Sequence, residues 1–278
     1  MKRCTQSVLC ALIFFGLAAA AVAYVLPGRQ ILTFMIDQFG PGRTLVVFQK
    51  TVLYDPGLEG GMQELDETLY YRYPDRFRSE VSSAGVEQIR VVNIDGALTV
   101  VDGKIIAESE SQFDHFKDLM LYKETDLLVE GLSQLGINVD FVSLGRFKDK
   151  VAYVIGAKYP DETVPQVWID KSSFRPIRLI LSGGEDTPLK EVEYTDYRPL
   201  DKHMSYPGRI LFHENGALVR MHVLETYEIN AEVPEQLFDV TYLKSAYEEV
   251  TSTPSTPLPA SELEEVKRSI RDFKKIFE

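Results

Sequence analysis

Three dipeptides punctuate this chain: Asp95-Gly96, Asp102-Gly103 and Asn215-Gly216, each set between short runs rich in Val, Ile, Leu and Tyr. Such pairs suit the positive φ values of two-residue hairpin turns. Strand-like runs follow one another closely from Thr44 to Ile106 and again from Val139 to Ile229. Strands joined by short turns form an antiparallel meander, and strand and helix do not alternate as in a doubly wound fold. The expected class is α+β with a dominant curved antiparallel sheet.

Helices are expected in two places within this body. Ile31, Leu32, Met35, Ile36 and Phe39 make one stripe over residues 28–39, closed by Gly40-Pro41-Gly42. Phe113, Phe116, Leu119, Met120, Leu127, Leu128, Leu132 and Leu135 recur at threes and fours over residues 112–135, as an amphipathic helix or a pair of them does.

The hairpins show which sheet faces need cover. With Asp95-Gly96 as the loop, Ile94 faces Ala97 and Val91 faces Val100. One face then carries Ile89, Val91, Leu98 and Val100, and the other Val92, Ile94, Ala97 and Val101. Both are apolar, so something must cover each. About Asn215-Gly216, Ile210, Phe212, Val219 and Met221 share an apolar face, with Arg209, Leu211, His213, Leu218, Arg220 and His222 opposite. The helix at 112–135 is the natural partial cover, and a curved sheet partly filled by a helix leaves an apolar groove.

The N-terminus reads as an export signal. Lys2 and Arg3 precede an uncharged stretch with an apolar core at Val8–Leu17, and Ala21-Val22-Ala23 fits a small-x-small cleavage site. Residues 1–23 are expected to be a Sec-type signal peptide delivering the chain to the periplasm. The alternative is an uncleaved anchor in the inner membrane, since Val8 to Leu26 is about long enough to span it at ~1.5 Å per residue. Both cysteines, Cys4 and Cys10, lie in this segment, so the mature chain would hold no disulfide, thiolate nucleophile or Cys-based metal site. At the other end, a Pro/Ser/Thr linker at 246–260 precedes a helix at 261–278 whose Leu263, Val266, Ile270, Phe273 and Phe277 form one stripe.

Charge and motifs narrow the function. The net charge of −12 argues against binding nucleic acid or anionic lipid surfaces. There is no Gly-x-Ser-x-Gly elbow, no His-Glu-x-x-His and no phosphate-cradling loop. In the second hairpin His213 and His222 fall roughly 13 Å apart at strand rise, too far to share an ion. The reading is a chain without catalytic residues, metal or cofactor, its histidines solvated.

Certain stretches resemble a known family. Leu69-Tyr70-Tyr71-Arg72-Tyr73-Pro74-Asp75-Arg76-Phe77, the Asp102-Gly103-Lys104 turn, Trp168-Ile169-Asp170-Lys171 with Pro176-Ile177-Arg178-Leu179, and Tyr206-Pro207-Gly208-Arg209 resemble the LolA/LolB-like outer-membrane lipoprotein-sorting proteins. The likeness covers about residues 25–243. It implies an unclosed half-barrel over residues 24–245, with helices covering its concave face. It implies a non-catalytic carrier for acyl chains of lipoproteins or lipids, monomeric, with an inner- or outer-membrane protein as a further partner. The groove would be lined by Tyr71, Tyr73, Phe77, Ile89, Val91, Val100, Phe116, Met120, Phe212 and Met221. One departure matters: the family carrier has an Arg before the motif's Pro that helps hold the lid closed, and here that position is Tyr73. The alternative is an envelope sensor or interaction module of the same fold, docking a partner through the helix at 261–278.

Overall fold

A computed structural model describes residues 25–249 apart from 58, 84–85 and 185–186. The expected signal peptide, most of the expected linker and the helix at 261–278 lie outside the described residues. The chain begins with helix α1 (Gly28–Asp37). It runs through β1 (Thr44–Tyr54), β2 (Met62–Arg72), β3 (Arg76–Ser83), β4 (Val86–Asn93), β5 (Gly96–Val101) and β6 (Lys104–Ala107). A 3-10 turn (Gln112–Lys117) continues into α2 (Asp118–Leu121), and α3 (Thr125–Gln134) follows. Strands resume as β7 (Val142–Phe147), β8 (Lys150–Ile155), β9 (Gln166–Asp170), β10 (Pro176–Gly184) and β11 (Thr187–Thr195). After a small ribbon of β12 (Arg198–Pro199) and β13 (Ser205–Tyr206) come β14 (Arg209–Glu214) and β15 (Ala217–Ile229). A 3-10 turn (Glu235–Phe238), α4 (Val240–Ala246) and β16 (Glu248–Glu249) end the described chain.

Fourteen strands form one curved sheet that does not close, in the order β16-β6-β5-β4-β3-β2-β1-β15-β14-β11-β10-β9-β8-β7. The meander β1–β6 grows outward one way and β7–β11 returns from the far edge. The two halves are joined where β1 pairs with β15, Leu45 opposite Ile229. Thus β6 and β7, consecutive in the chain, stand towards opposite ends of the sheet. Residues 108–141 must cross from one end to the other, and they do so over the inner face.

Two of the three expected turns form at the dipeptides named. Asp102 and Gly103, and Asn215 and Gly216, all take positive φ, as a primed two-residue turn requires. At the third, Asn93 pairs with Gly96 and Val91 with Leu98, so the loop is Ile94-Asp95 and the register moves by two residues. The Asn93 side chain accepts the Asp95 N–H at 2.7 Å, stabilising this tighter loop. A two-residue slip leaves every side chain on its face. The second hairpin departs further. His213 pairs with Leu218, but a bulge between Phe212 and His213 puts Phe212 opposite Arg220 and Ile210 opposite His222. That extra residue turns Arg220 and His222 inward and Met221 outward.

Both faces are covered, by elements of different origin. The inner face packs Leu45, Val47, Leu69, Tyr71, Phe77, Val92, Leu179, Val192 and Phe212 against α1 and the crossing segment. On the outer face Val91, Leu98, Val100 and Ile105 pack against Val240 and Leu243 of α4, an element absent from the sequence expectation. Polar ties fix the approach to α4, Arg78 and Asn93 donating to the carbonyls of Leu237 and Phe238 at 3.0 and 2.9 Å. Beyond α4, β16 runs parallel to β6, so the sheet extends into the segment expected to begin the linker. Leu243 is 5% exposed, and Leu243→Ala should cost about 2–4 kcal/mol. Urea unfolding checks this: the midpoint should fall with the slope unchanged.

Candidate functional site: the lidded inner face

The crossing segment is a lid built to lie on an apolar surface. Its 3-10 turn and α2 bury Phe113, Phe116, Leu119, Met120 and Leu121, and α3 buries Leu128 and Leu132. The single helix or helix pair expected over 112–135 is thus broken into a 3-10 turn and two helices. Lys117 is fully buried beneath the lid, yet its partners are the lid's own Glu110, Asp118 and Asp114 carbonyl, at 2.5, 2.9 and 3.2 Å. Burial alone would lower the Lys117 pKa, but the two carboxylates hold it above the usual lysine range. The lid therefore pairs its buried Lys117 within itself.

Polar ties from lid to body sit at separate points. Asp114 pairs with Arg90 of β4. The Tyr194 hydroxyl donates to the Phe116 carbonyl at 2.8 Å. Lys123, between α2 and α3, donates to the carbonyls of Phe39 and Gly40 at 2.6 and 3.2 Å. Its Nζ lies 4.2 Å from the Tyr73 ring centre, a cation–π contact. Burial drives the Lys123 pKa down to about 7. Lys123 of the lid thus fastens this corner to the end of α1 and to Tyr73.

Under the lid the inner face has two ends of different chemistry. The first is aromatic. Tyr71, Phe77, Phe116, Met120 and Phe212 are all buried in one cluster, and Tyr73 packs against it. Tyr71 meets Tyr73, Phe77 and Tyr206, and Phe116 meets Phe77 and Phe212, at centroid separations of 5.2–6.4 Å. The structure thus brings six of the expected groove residues together, in a closed state in which lid and sheet fill each other.

The second end is polar, and the sequence reading missed it. Glu67 of β2 accepts from Gln49, Thr51 and Ser79 at 2.8, 2.5 and 2.5 Å, with the His222 ring 3.7 Å away. Burial would raise its pKa; His222 and the three donors overcome this and hold the carboxyl below the usual range. Burial pushes His222 down to about 4, against the pull of Glu67, so its ring is neutral at neutral pH. Arg90 and Arg220 stand alongside, and these groups with Gln88, Thr51, Ser79 and Val81 line a cavity of about 10 Å³. Buried polar atoms nearly always find partners. Here Gln88 Oε1, Arg90 Nε and His222 Nδ1 have none within the protein.

Four expected groove residues lie elsewhere. Ile89, Val91 and Val100 belong to the outer cluster under α4, because the inner face of β4 presents Gln88, Arg90 and Val92. Met221 is turned outward and half-buried by the bulge. The histidines also differ from expectation. His203 is exposed, but His222 is only 2% exposed and packs against Phe116 and Phe212. On the outer face His213 meets Glu191 and Glu193, their ligand atoms within 4.8 Å of one another. These carboxylates already pair with Arg178 and Lys148 respectively.

This arrangement, an open curved sheet with helices over one face, recurs in known structures. Residues covering 78% of the chain superpose on the whole of a LolA superfamily protein from Nitrosomonas europaea, with a TM-score of 0.54 and 13% identity. The same share matches 98% of a domain named for outer membrane lipoprotein sorting from Vibrio parahaemolyticus, at 0.52 and 10%. It also matches 98% of a DUF1329 family protein from Desulfovibrio piger, at 0.50 and 11%. The fold is the LolA-like half-barrel, as the quoted stretches implied. No protein-family model and no curated protein matches the sequence. Among the described residues no helix is long and apolar enough to cross a membrane.

The polar end predicts an acid sensitivity with a defined source. The unfolded chain binds a proton at His222 near the ordinary histidine value of 6.5, the folded chain only near 4. The unfolded state therefore holds more protons between these values, and stability falls as pH falls through that window. Burial sets this shift; of the charged groups that face the ring, Arg220 and Arg90 add to it while Glu67 and Asp114 oppose it. Between about pH 7 and about pH 5 the His222 share of the loss should be roughly 2 kcal/mol. Urea unfolding of the wild type and of His222→Gln isolates it: the variant should lack this part of the loss.

Proposed function

We propose that this protein is a periplasmic, non-catalytic carrier that holds the acyl chains of a lipoprotein or lipid between sheet and lid. One observation carries the reading. The aromatic inner face is closed by a connecting segment that pairs its buried Lys117 within itself, rather than by closure of the barrel. An apolar face covered by a separable lid can exchange one apolar cover for another, since burial against an acyl chain satisfies it as well as burial against Phe116 and Met120. Aromatic and Met side chains adapt to such an occupant with little polar cost. The names of the two structural neighbours concerned with LolA and lipoprotein sorting support this reading. So does the export signal expected at 1–23, which would deliver the domain to the space between two membranes. The interaction-module reading depends on residues 261–278, which lie outside the described residues.

Native mass spectrometry of protein purified after export, without detergent, tests the proposal. An acylated species at about one per chain is expected, and Phe116→Glu or Met120→Glu should remove it. Ile94→Glu, at a hairpin tip where Ile94 is 80% exposed, should retain it. Protein that is empty, and stays empty after incubation with lipids and a triacylated peptide, would contradict the carrier function.

A further inference from the structure

Charged groups are costly to bury, and a stable lid over an apolar sheet has no need of them. Yet Glu67, Arg90, Arg220 and Asp114 meet under this lid, against the aromatic end. Three of them belong to the sheet, and Asp114 alone belongs to the lid. Asp114 is 2% exposed, pairs with Arg90, and has its second oxygen held by the Ser111 N–H at 2.7 Å. Arg220 lies close enough to act on the charges of both Asp114 and Glu67. When the lid lifts, Asp114 leaves with it. Arg90 then loses its carboxylate partner, while the oxygens of Glu67 already accept from Gln49, Thr51 and Ser79. The partnerless Arg90 Nε adds a donor at the same spot.

We propose that this polar end is the seat of an anionic headgroup, a carboxylate or a phosphate, and that Asp114 occupies the seat while the lid is closed. The inference deepens the carrier reading and rests on it: the cargo is an acyl-chain amphiphile with a negative head. Guanidinium groups suit either oxyanion, which can accept two parallel bonds from the fork. The two ends adjoin. Phe116 and Phe212 lie 5.0 and 4.6 Å from the His222 ring, so a head at Arg90 and Arg220 sends its chain along the aromatic cluster. The cavity of about 10 Å³ admits nothing larger than a water while the lid is down, so a headgroup would enter only with the lid lifted.

Calorimetric titration of the exported chain with palmitate, palmitoyl lysophosphatidate and uncharged hexadecanol tests the seat. Both anions should bind at least about tenfold tighter than the alcohol, and their order tells carboxylate from phosphate. Arg90→Gln and Arg220→Gln should each abolish the preference for the anions over the alcohol. Asp114→Asn, which removes the resident charge, should tighten both anions. Circular dichroism and the thermal midpoint check each variant, and Arg220→Lys serves if the glutamine variants do not fold, retaining the charge but losing part of the preference. Equal binding of all three ligands, or a preference that survives both arginine substitutions, overturns the headgroup seat and leaves the carrier intact. Binding of none overturns the carrier reading itself.

Discussion

The strands on either side of the lid, β6 and β7, stand towards opposite ends of one sheet, and the chain has to travel between them. A closed barrel would bring its two edges together and leave its interior to side chains. Here the edges stay apart, and the inner face, with Tyr71, Phe77 and Phe212, cannot be left to water. The connection of residues 108–141 satisfies both demands at once. It links the edges and lays Phe113, Phe116, Leu119 and Met120 on the exposed aromatic surface. A cover made from a connection differs from one made by barrel closure. It is anchored by chain at both ends and can lift without breaking a strand pair.

The distribution of charge follows from the same geometry. Lys117, the most deeply buried cation of the lid, is neutralised by Glu110 and Asp118, so lifting the lid leaves this charge paired, whereas Asp114 parts from Arg90. The bonds that cross to the body sit at its corners. Lys123 reaches the carbonyls just beyond α1, where the backbone dipole favours a cation. Asp114 reaches Arg90 at the polar end. Tyr73 receives Lys123 over its ring rather than supplying a cation itself.

Much of this was legible in the sequence, and the remainder was hidden for physical reasons. Asp102-Gly103 and Asn215-Gly216 announced their hairpins because few other pairs take two positive φ values. The two apolar faces of the β4–β5 hairpin were read correctly despite a register error, since a slip of two residues preserves side-chain parity. A slip of one does not. The bulge at Phe212/His213 exchanged Met221 for His222 on the inner face, and no local signal marks such a bulge. The choice between the faces of β4 was also beyond local pattern. Val91 and Val100 look as much like groove as Val92 does until α4 is known to cover them. The polar end was the least legible. Glu67, Ser79, Arg90, Asp114 and the β15 pair Arg220 and His222 come from five elements and meet only through the β1–β15 pairing and the lid's path.

The central claim is that the lid of residues 112–134 separates from the sheet as a unit and that cargo takes its place. Hydrogen exchange read by mass spectrometry, with and without an amphiphile, tests this directly. The account predicts faster exchange of the 112–134 amides on adding amphiphile, with β1–β3 and β14–β15 unchanged or more protected. Protection of lid and sheet alike, or no change in the lid at saturating amphiphile, would contradict it, because the lid would then be part of the fixed core.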